Sequence, residues 1–235
     1  MPDLVPTIAA NLAAVRERIR EAAGRAGRSA EEVLLVAVTK YVSLAAVRAL
    51  TAAGCRELGE SRPQQLVERA SALTGTDIAW HLVGPLQRNK VRKVLPHVAL
   101  IQSVDSRRLA EAVNRIAGEL AIRVPVLLEV NLSGEAAKHG FAAARIRPIL
   151  PTLAALPHIS VRGLMGMAGL ASGPDEARAE FAALRELRDR LRAECPEGMQ
   201  LDELSMGMSG DFEIAVEEGA TIVRVGSALF EGIEE

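Results

Sequence analysis

The sequence predicts an α/β protein: a single closed (β/α)8 TIM barrel with an extra helix in front of it. Three observations lead there. Short β-branched runs alternate with Ala/Leu/Arg-rich stretches of helical period, eight such runs fit into 235 residues, and no GxGxxG turn follows the first of them. Strict strand–helix alternation implies a parallel sheet, and eight units in a chain of this length match a closed barrel, typically about 250 residues. A doubly wound open sheet is the rival, and the missing glycine turn counts against it. No linker, low-complexity tract or shift of composition divides the chain, so residues 1–235 are read as one domain.

The elements follow in order. The chain opens with Ile8, Leu12, Val15 and Ile19 at alternating steps of four and three, the pattern of a helix with one buried face. Strands are expected in VLLVAVTK (33–40), CRELGE (55–60), IAWHLVG (78–84), VALIQSVD (98–105), VPVLLEVN (124–131), ISVRGLMG (159–166), DELSMG (202–207) and TIVRVG (221–226). Helices lie between them. In the clearest, 174–194, Phe181, Leu184, Leu187 and Leu191 line one side and arginines the other. Ser172 and Pro174 suit its start, and Asp175 and Glu176 complement the positive dipole end in its first turn.

Composition excludes several classes. Basic residues number 28 and acidic residues 30, so nothing draws the chain broadly to nucleic acid or anionic membranes. Hydrophobic residues make up 49% and aromatic residues only 3%, which leaves the core to Ala, Val, Leu and Ile. Cys55 and Cys195 show no metal-type spacing and make no disulfide framework. The N-terminal stretch lacks the apolar core of a signal peptide, and no run of about twenty apolar residues could span a membrane. A soluble cytoplasmic protein without a metal is expected.

In a barrel the site forms at the C-terminal ends of the strands. Lys40 falls at such an end, on the face it shares with Leu34, Val36 and Val38. An interior ammonium group must be paired, neutralised or used covalently; the plainer reading has Lys40 reaching to water just past the strand. The seventh and eighth strands each run into small residues and a helix start. Ser205, Gly207, Ser209 and Gly210 on one loop, with Gly226 and Ser227 on the other, suit a phosphate held without lysine. Either loop alone reads as an ordinary turn; the two together favour phosphate. Arg224 shares a face with Ile222 and Gly226, and either pairs with Glu129 of the fifth strand or contacts a ligand. A strand-end lysine, an uncharged phosphate cradle and an inward arginine are the parts that pyridoxal 5'-phosphate (PLP) requires: a Schiff-base amine, an anchor, and a group opposite the ring nitrogen.

At these residues the chain resembles the pyridoxal-phosphate homeostasis proteins, single-barrel PLP binders similar to the barrel domain of alanine racemase. The likeness runs through AVTK at Lys40, WHLVGPLQRNKVR (80–92), SVDS (103–106), VNLSGEAAKHGF (130–141) and, most specifically, LSMGMSGDFEIAVEEGATIVRVGSALFEG (204–232). The resemblance implies a Schiff base between PLP and Lys40, with Arg224 by the pyridine nitrogen and Ser205, Gly226 and Ser227 at the phosphate. Ser61, His81, Met206 and Ser209 join them as cofactor-site candidates. It also implies a role in intracellular vitamin B6 balance, with PLP-dependent apo-enzymes as recipients. The chain departs from the family pattern at Ser61, where the family often has Asn, at Val42, where it often has a second lysine, at Pro85 and in LMGMAG. A secondary PLP route through the second lysine is therefore in doubt.

Two other readings compete. A racemase-like PLP enzyme needs a second acid/base opposite the lysine; related racemases take a tyrosine from an added domain, whereas the single tyrosine here, Tyr41, adjoins Lys40. Cys55 and the histidines remain, and of these His81 stands nearest a strand end, although a packed strand histidine is the plainer reading. An aldolase-type barrel explains Lys40 but leaves Arg224 without a task. A carrier, monomeric and with weak side activity at most, is the reading adopted. The basic stretch Arg88, Lys90, Arg92 and Lys93 is expected on a solvated helix face, and Lys138 and His139 near the site mouth.

Overall fold

The structure, a computed structural model, describes residues 4–132, 139–169 and 172–233. Lys138 lies outside the described residues. Each apolar run supplies a strand: β1 (Leu34–Val38), β2 (Glu57–Glu60), β3 (Ala79–Leu82), β4 (Leu100–Val104), β5 (Val124–Asn131), β6 (Ile159–Met165), β7 (Glu203–Ser205) and β8 (Ile222–Val225). All are parallel, each pairs with the next, and β8 returns to β1 through Leu34↔Ile222 and Val36↔Arg224. The sheet is a closed barrel, as the alternation predicts. A two-residue strand, Phe141–Ala142, lies beside the end of β5.

The helices are α1 (Val5–Arg25), α2 (Leu44–Ala52), α3 (Pro63–Ala72), α4 (Val91–Val94), α5 (Arg107–Glu119), α6 (Ala143–Ala154), α7 (Pro174–Ala193) and α8 (Phe212–Glu217). The leading helix α1 packs against α8 and α2, and so fills the gap in the helix ring outside β8 and β1. Its Asn11 amide donates to the carbonyls of Leu229 (3.2 Å) and Glu231 (2.9 Å), tying the helix to the chain beyond β8. At the start of α7 the cap is Gly173, whose N–H is taken by Glu176 Oε2 at 3.0 Å. Ser172 instead donates to Glu180 Oε2.

Strand alternation sorts the apolar residues into two cores. Val36, Leu100, Leu127, Met165 and Ile222 meet inside the barrel. Their sequence neighbours Ala37, Ile101, Leu128, Leu164 and Val223 face outward into the larger layer between sheet and helices. With so few aromatic rings, close backbone approach does part of the packing. Gly163 is the clearest case: a Cβ there would lie 1.9 Å from the Glu203 carbonyl oxygen on the neighbouring strand. Gly163→Ala must push β6 and β7 apart. Thermal unfolding should show the midpoint falling by roughly 6 °C or more, whereas a neutral effect would contradict the close approach.

Candidate functional site

A cavity of about 920 Å³ opens at the C-terminal ends of the strands. Among the proposed residues, Lys40, Ser61, Ser209, Arg224, Gly226 and Ser227 line it, as do Gly210, Glu129 and His139. His81, Ser205 and Met206 do not. Met206 follows the inward Ser205 and points outward, fully buried in the sheet–helix layer. Ser205 is fully buried below the cavity floor, and His81 lies deeper in the barrel interior.

Lys40 begins the turn after β1. The N–H of Thr39 still bonds the Gly59 carbonyl at 2.9 Å, and Val42 N–H then closes a turn on Thr39 C=O at 3.1 Å. The ammonium group sits 4.8 Å from the ring centroid of exposed Tyr41, a cation–π contact at the mouth. The turn itself is held from outside the barrel. Arg69 of α3 donates to the carbonyls of Thr39 and Val42 on either side of Lys40 and pairs with buried Glu60. Thr39 Oγ1 donates to the same carboxylate oxygen, Glu60 Oε1. Glu60 Oε2 has no hydrogen-bond partner among the described residues. Burial pushes the Glu60 carboxyl above the usual range, against the Thr39 hydroxyl and the Arg69 charge.

Arg224 enters the floor from β8 and is 4% exposed. Its Nη1 donates to Ser205 Oγ at 2.6 Å and its Nη2 to the Gly166 carbonyl at 3.0 Å. Both acceptors are neutral, and among the described residues Arg224 makes no ion pair with Glu129, one of the two readings the sequence leaves open. Loss of hydration lowers the guanidinium to about 10, with Asp211 and Glu129 opposing from nearby. It remains a cation at neutral pH. Glu129 is itself pushed up, by burial first and by Asp105 second, with His139 and Arg224 opposing.

The two small-residue loops meet. Gly226 N–H donates to Ser209 Oγ at 3.1 Å, and the loop holding Ser209 is braced by Met208 N–H on Asp211 Oδ1 at 2.6 Å. Gly207 stands behind this loop at φ +90°, where a Cβ would strike the Ala215 side chain at 2.6 Å. Its place in the cradle is therefore structural. On the opposite wall, Ser103 Oγ donates to the Gly84 carbonyl at 2.6 Å beside Ser61. Of the basic stretch, Arg92 pairs with Glu119, and Val91 and Val94 form the buried side of α4. Among the described residues no group of His, Cys, Asp and Glu is placed to hold a metal, and no helix is long and apolar enough to cross a membrane.

Sequence reasoning missed Arg69, Glu60, Glu57 and Gln102. The available signal was a buried strand, LIQSV, carrying two adjacent polar residues, and GES, in which a carboxylate ends a strand.

The geometry defines a ligand-binding (β/α)8 barrel whose mouth joins an amine, a guanidinium and two uncharged loops. Comparison with known proteins agrees. Residues 10–233 match the family model described as alanine racemase, N-terminal domain. The chain is 40% identical over 219 residues to the pyridoxal phosphate homeostasis protein of Aquifex aeolicus, covering 93% of this chain and 95% of that one. It is 41% identical to the protein of the same name from Pseudomonas aeruginosa, covering 95% of each. The structure of PipY from Synechococcus elongatus PCC7942 with PLP bound superposes with a TM-score of 0.85 at 41% identity, covering 95% of this chain and 99% of that one. The chain belongs to the pyridoxal phosphate homeostasis protein family.

The Arg69 clamp yields a prediction. Arg69→Met leaves the Glu60 carboxylate alone in the interior, a loss of about 3–5 kcal/mol. A carboxyl raised by burial contributes stability below its unfolded pKa and loses that contribution as pH rises through the folded value. The deficit of Arg69→Met in urea unfolding should therefore be largest at neutral pH and shrink towards about pH 4. Adding Glu60→Gln should restore stability at pH 7. A deficit independent of pH would contradict the clamp.

Proposed function

We propose that this protein binds pyridoxal 5'-phosphate through Lys40 and serves intracellular vitamin B6 homeostasis as a cytoplasmic PLP binder or carrier, the whole chain 1–235 acting as one PLP-binding domain. The observation that carries this reading is the convergence of Lys40, Arg224 and the paired loops Ser209–Gly210 and Gly226–Ser227 on one cavity. The residues fit the group. Lys40 offers a primary amine to an open space. The bare Cα of Gly226, where a Cβ would press to 3.2 Å from Val38 O, leaves backbone accessible between the loops. Arg224 has donors only, so a pyridine nitrogen facing it can act only as acceptor.

When bound, PLP supplies an aldehyde for the amine and an electron-withdrawing ring, the latter weakened when its nitrogen carries no proton. The protein's own share is binding and orientation. Arg224 fixes the ring edge, the loops fix the phosphate, and the Arg69-held turn presents Lys40. PLP-dependent apo-enzymes are the proposed recipients, and the carrier is proposed to act as a monomer. The racemase-like alternative lacks support from two of its candidate bases. Cys55 is buried in the outer layer with its thiol pushed up by burial, and His81 lies below the floor.

Protein loaded with PLP should show a visible absorption band that borohydride fixes covalently on the peptide containing Lys40. Lys40→Ala should lose both band and adduct; a colourless wild type, or an adduct that persists in Lys40→Ala, would overturn the assignment. Separately, Gly226→Val should weaken PLP retention at least about tenfold, or about 1.4 kcal/mol, in equilibrium dialysis. Unchanged retention would remove this loop from the phosphate site.

A further inference from the structure

From the cavity floor inward, five side chains from five strands form one line of hydrogen bonds across the barrel. Arg224 Nη1 of β8 donates to Ser205 Oγ of β7 at 2.6 Å, and Ser205 Oγ donates to Gln102 Oε1 of β4 at 2.6 Å. Gln102 Nε2 meets His81 Nδ1 of β3 at 2.9 Å, and His81 Nε2 meets Glu57 Oε2 of β2 at 2.7 Å. Gln102 and Ser205 are wholly buried, His81 and Arg224 nearly so. Glu57 at the far end is partly exposed.

With a neutral His81 ring, one arrangement of hydrogens satisfies every bond between the two ends. The Glu57 carboxylate can only accept, so His81 Nε2 carries the hydrogen and a neutral ring leaves Nδ1 as acceptor. Gln102 must then offer its NH2 to His81, which turns its carbonyl oxygen to Ser205. Ser205 spends its single hydrogen on that oxygen and accepts from Arg224, which can only donate. The arginine end is compatible with this order, since Ser205 Oγ can accept from Arg224 while donating to Gln102 Oε1. A side-chain amide at neutral pH does not pass a proton along, so the line orients groups and delivers none.

We propose that Gln102 is a positioning residue for Arg224: locked in one orientation by the Glu57–His81 pair, its amide fixes the Ser205 hydroxyl and thereby the plane in which the guanidinium faces the cavity. Were the amide to flip, its NH2 would face Ser205 Oγ beside Arg224, the Ser205 hydrogen would lose the acceptor that orients it, and the hydroxyl that Arg224 bonds would no longer be fixed. Only the consequence for bound PLP rests on the function proposed above; the locking itself is a property of the protein alone.

The test uses the whole chain in both states. In PLP-free protein, 15N NMR should find His81 protonated on Nε2 alone, and the Arg224 guanidinium hydrogens exchanging slowly with solvent. Gln102→Leu should speed that exchange at least tenfold at an unchanged far-ultraviolet circular dichroism spectrum. Gln102→Glu keeps an acceptor for Ser205 but sets a second acceptor against His81 Nδ1. It should retain slow Arg224 exchange while His81 becomes doubly protonated, and this comparison decides the matter if the leucine variant fails to fold. With PLP added, Gln102→Leu should shift the visible band and speed PLP release about tenfold, and Gln102→Glu should restore slow release. Nδ1 protonation in the wild type, or a folded Gln102→Leu with wild-type Arg224 exchange, would overturn the proposal. So would fast Arg224 exchange in Gln102→Glu. Failure to take up PLP would instead count against the function and leave the NMR result standing.

Discussion

A buried guanidinium without an ion pair among the described residues sets the terms for the rest of this barrel. Arg224 reaches the cavity floor from β8, and its acceptors among the described residues, Ser205 Oγ and the Gly166 carbonyl, are neutral. An unpaired buried cation is tolerable only when its donors are satisfied by well-placed dipoles. That requirement places a serine at the end of β7 and a carbonyl just past β6, and it draws Gln102 and His81 into an interior that is otherwise filled by Val36, Leu100, Leu127, Met165 and Ile222. The barrel is apolar at one level and an ordered polar network at the next, and the cavity rests on the network.

The lysine is supported on the opposite principle. Outside the sheet, Arg69 and Glu60 do form a buried ion pair, and the same guanidinium grips the backbone on both sides of Lys40. A full charge pair suits a clamp on a turn, because its strength lies in bonds that break together. Uncharged acceptors suit the floor, because among the described residues no carboxylate pairs with the cation where it meets the cavity. The two arginines thus divide the work of positioning: one holds the turn that carries the amine and the other faces the cavity.

Much of this is legible in the sequence because strand parity is a local property. Short runs alternating with helical stretches mark all eight strands, and the alternation Ile222, Arg224, Gly226 is enough to put the arginine on the inward face. Parity also explains the misplacements. Ser205 reads as part of the small-residue loop and Met206 as a cofactor-site candidate, but Ser205 is the last inward residue of β7, so Met206 must turn outward into the helix layer. His81 reads as a residue close to a strand end, yet its depth depends on how β3 is staggered against β2 and β4, which a single strand does not reveal. Arg69 reads as an ordinary helix cation, because the carbonyls it grips lie 30 and 27 residues away. Gln102 is hidden for the same reason: its partners come from β3 and β7, and only closure of the barrel brings them together.

The central claim is that an unprotonated ring nitrogen of PLP faces Arg224 while Lys40 holds the cofactor. The most direct measurement is the 15N chemical shift of PLP labelled at the ring nitrogen and bound to the protein at neutral pH. The account predicts the value of an unprotonated pyridine, moving to the protonated value when Arg224 is replaced by Glu. A protonated shift in the wild type, or a shift indifferent to Arg224→Glu, would contradict it.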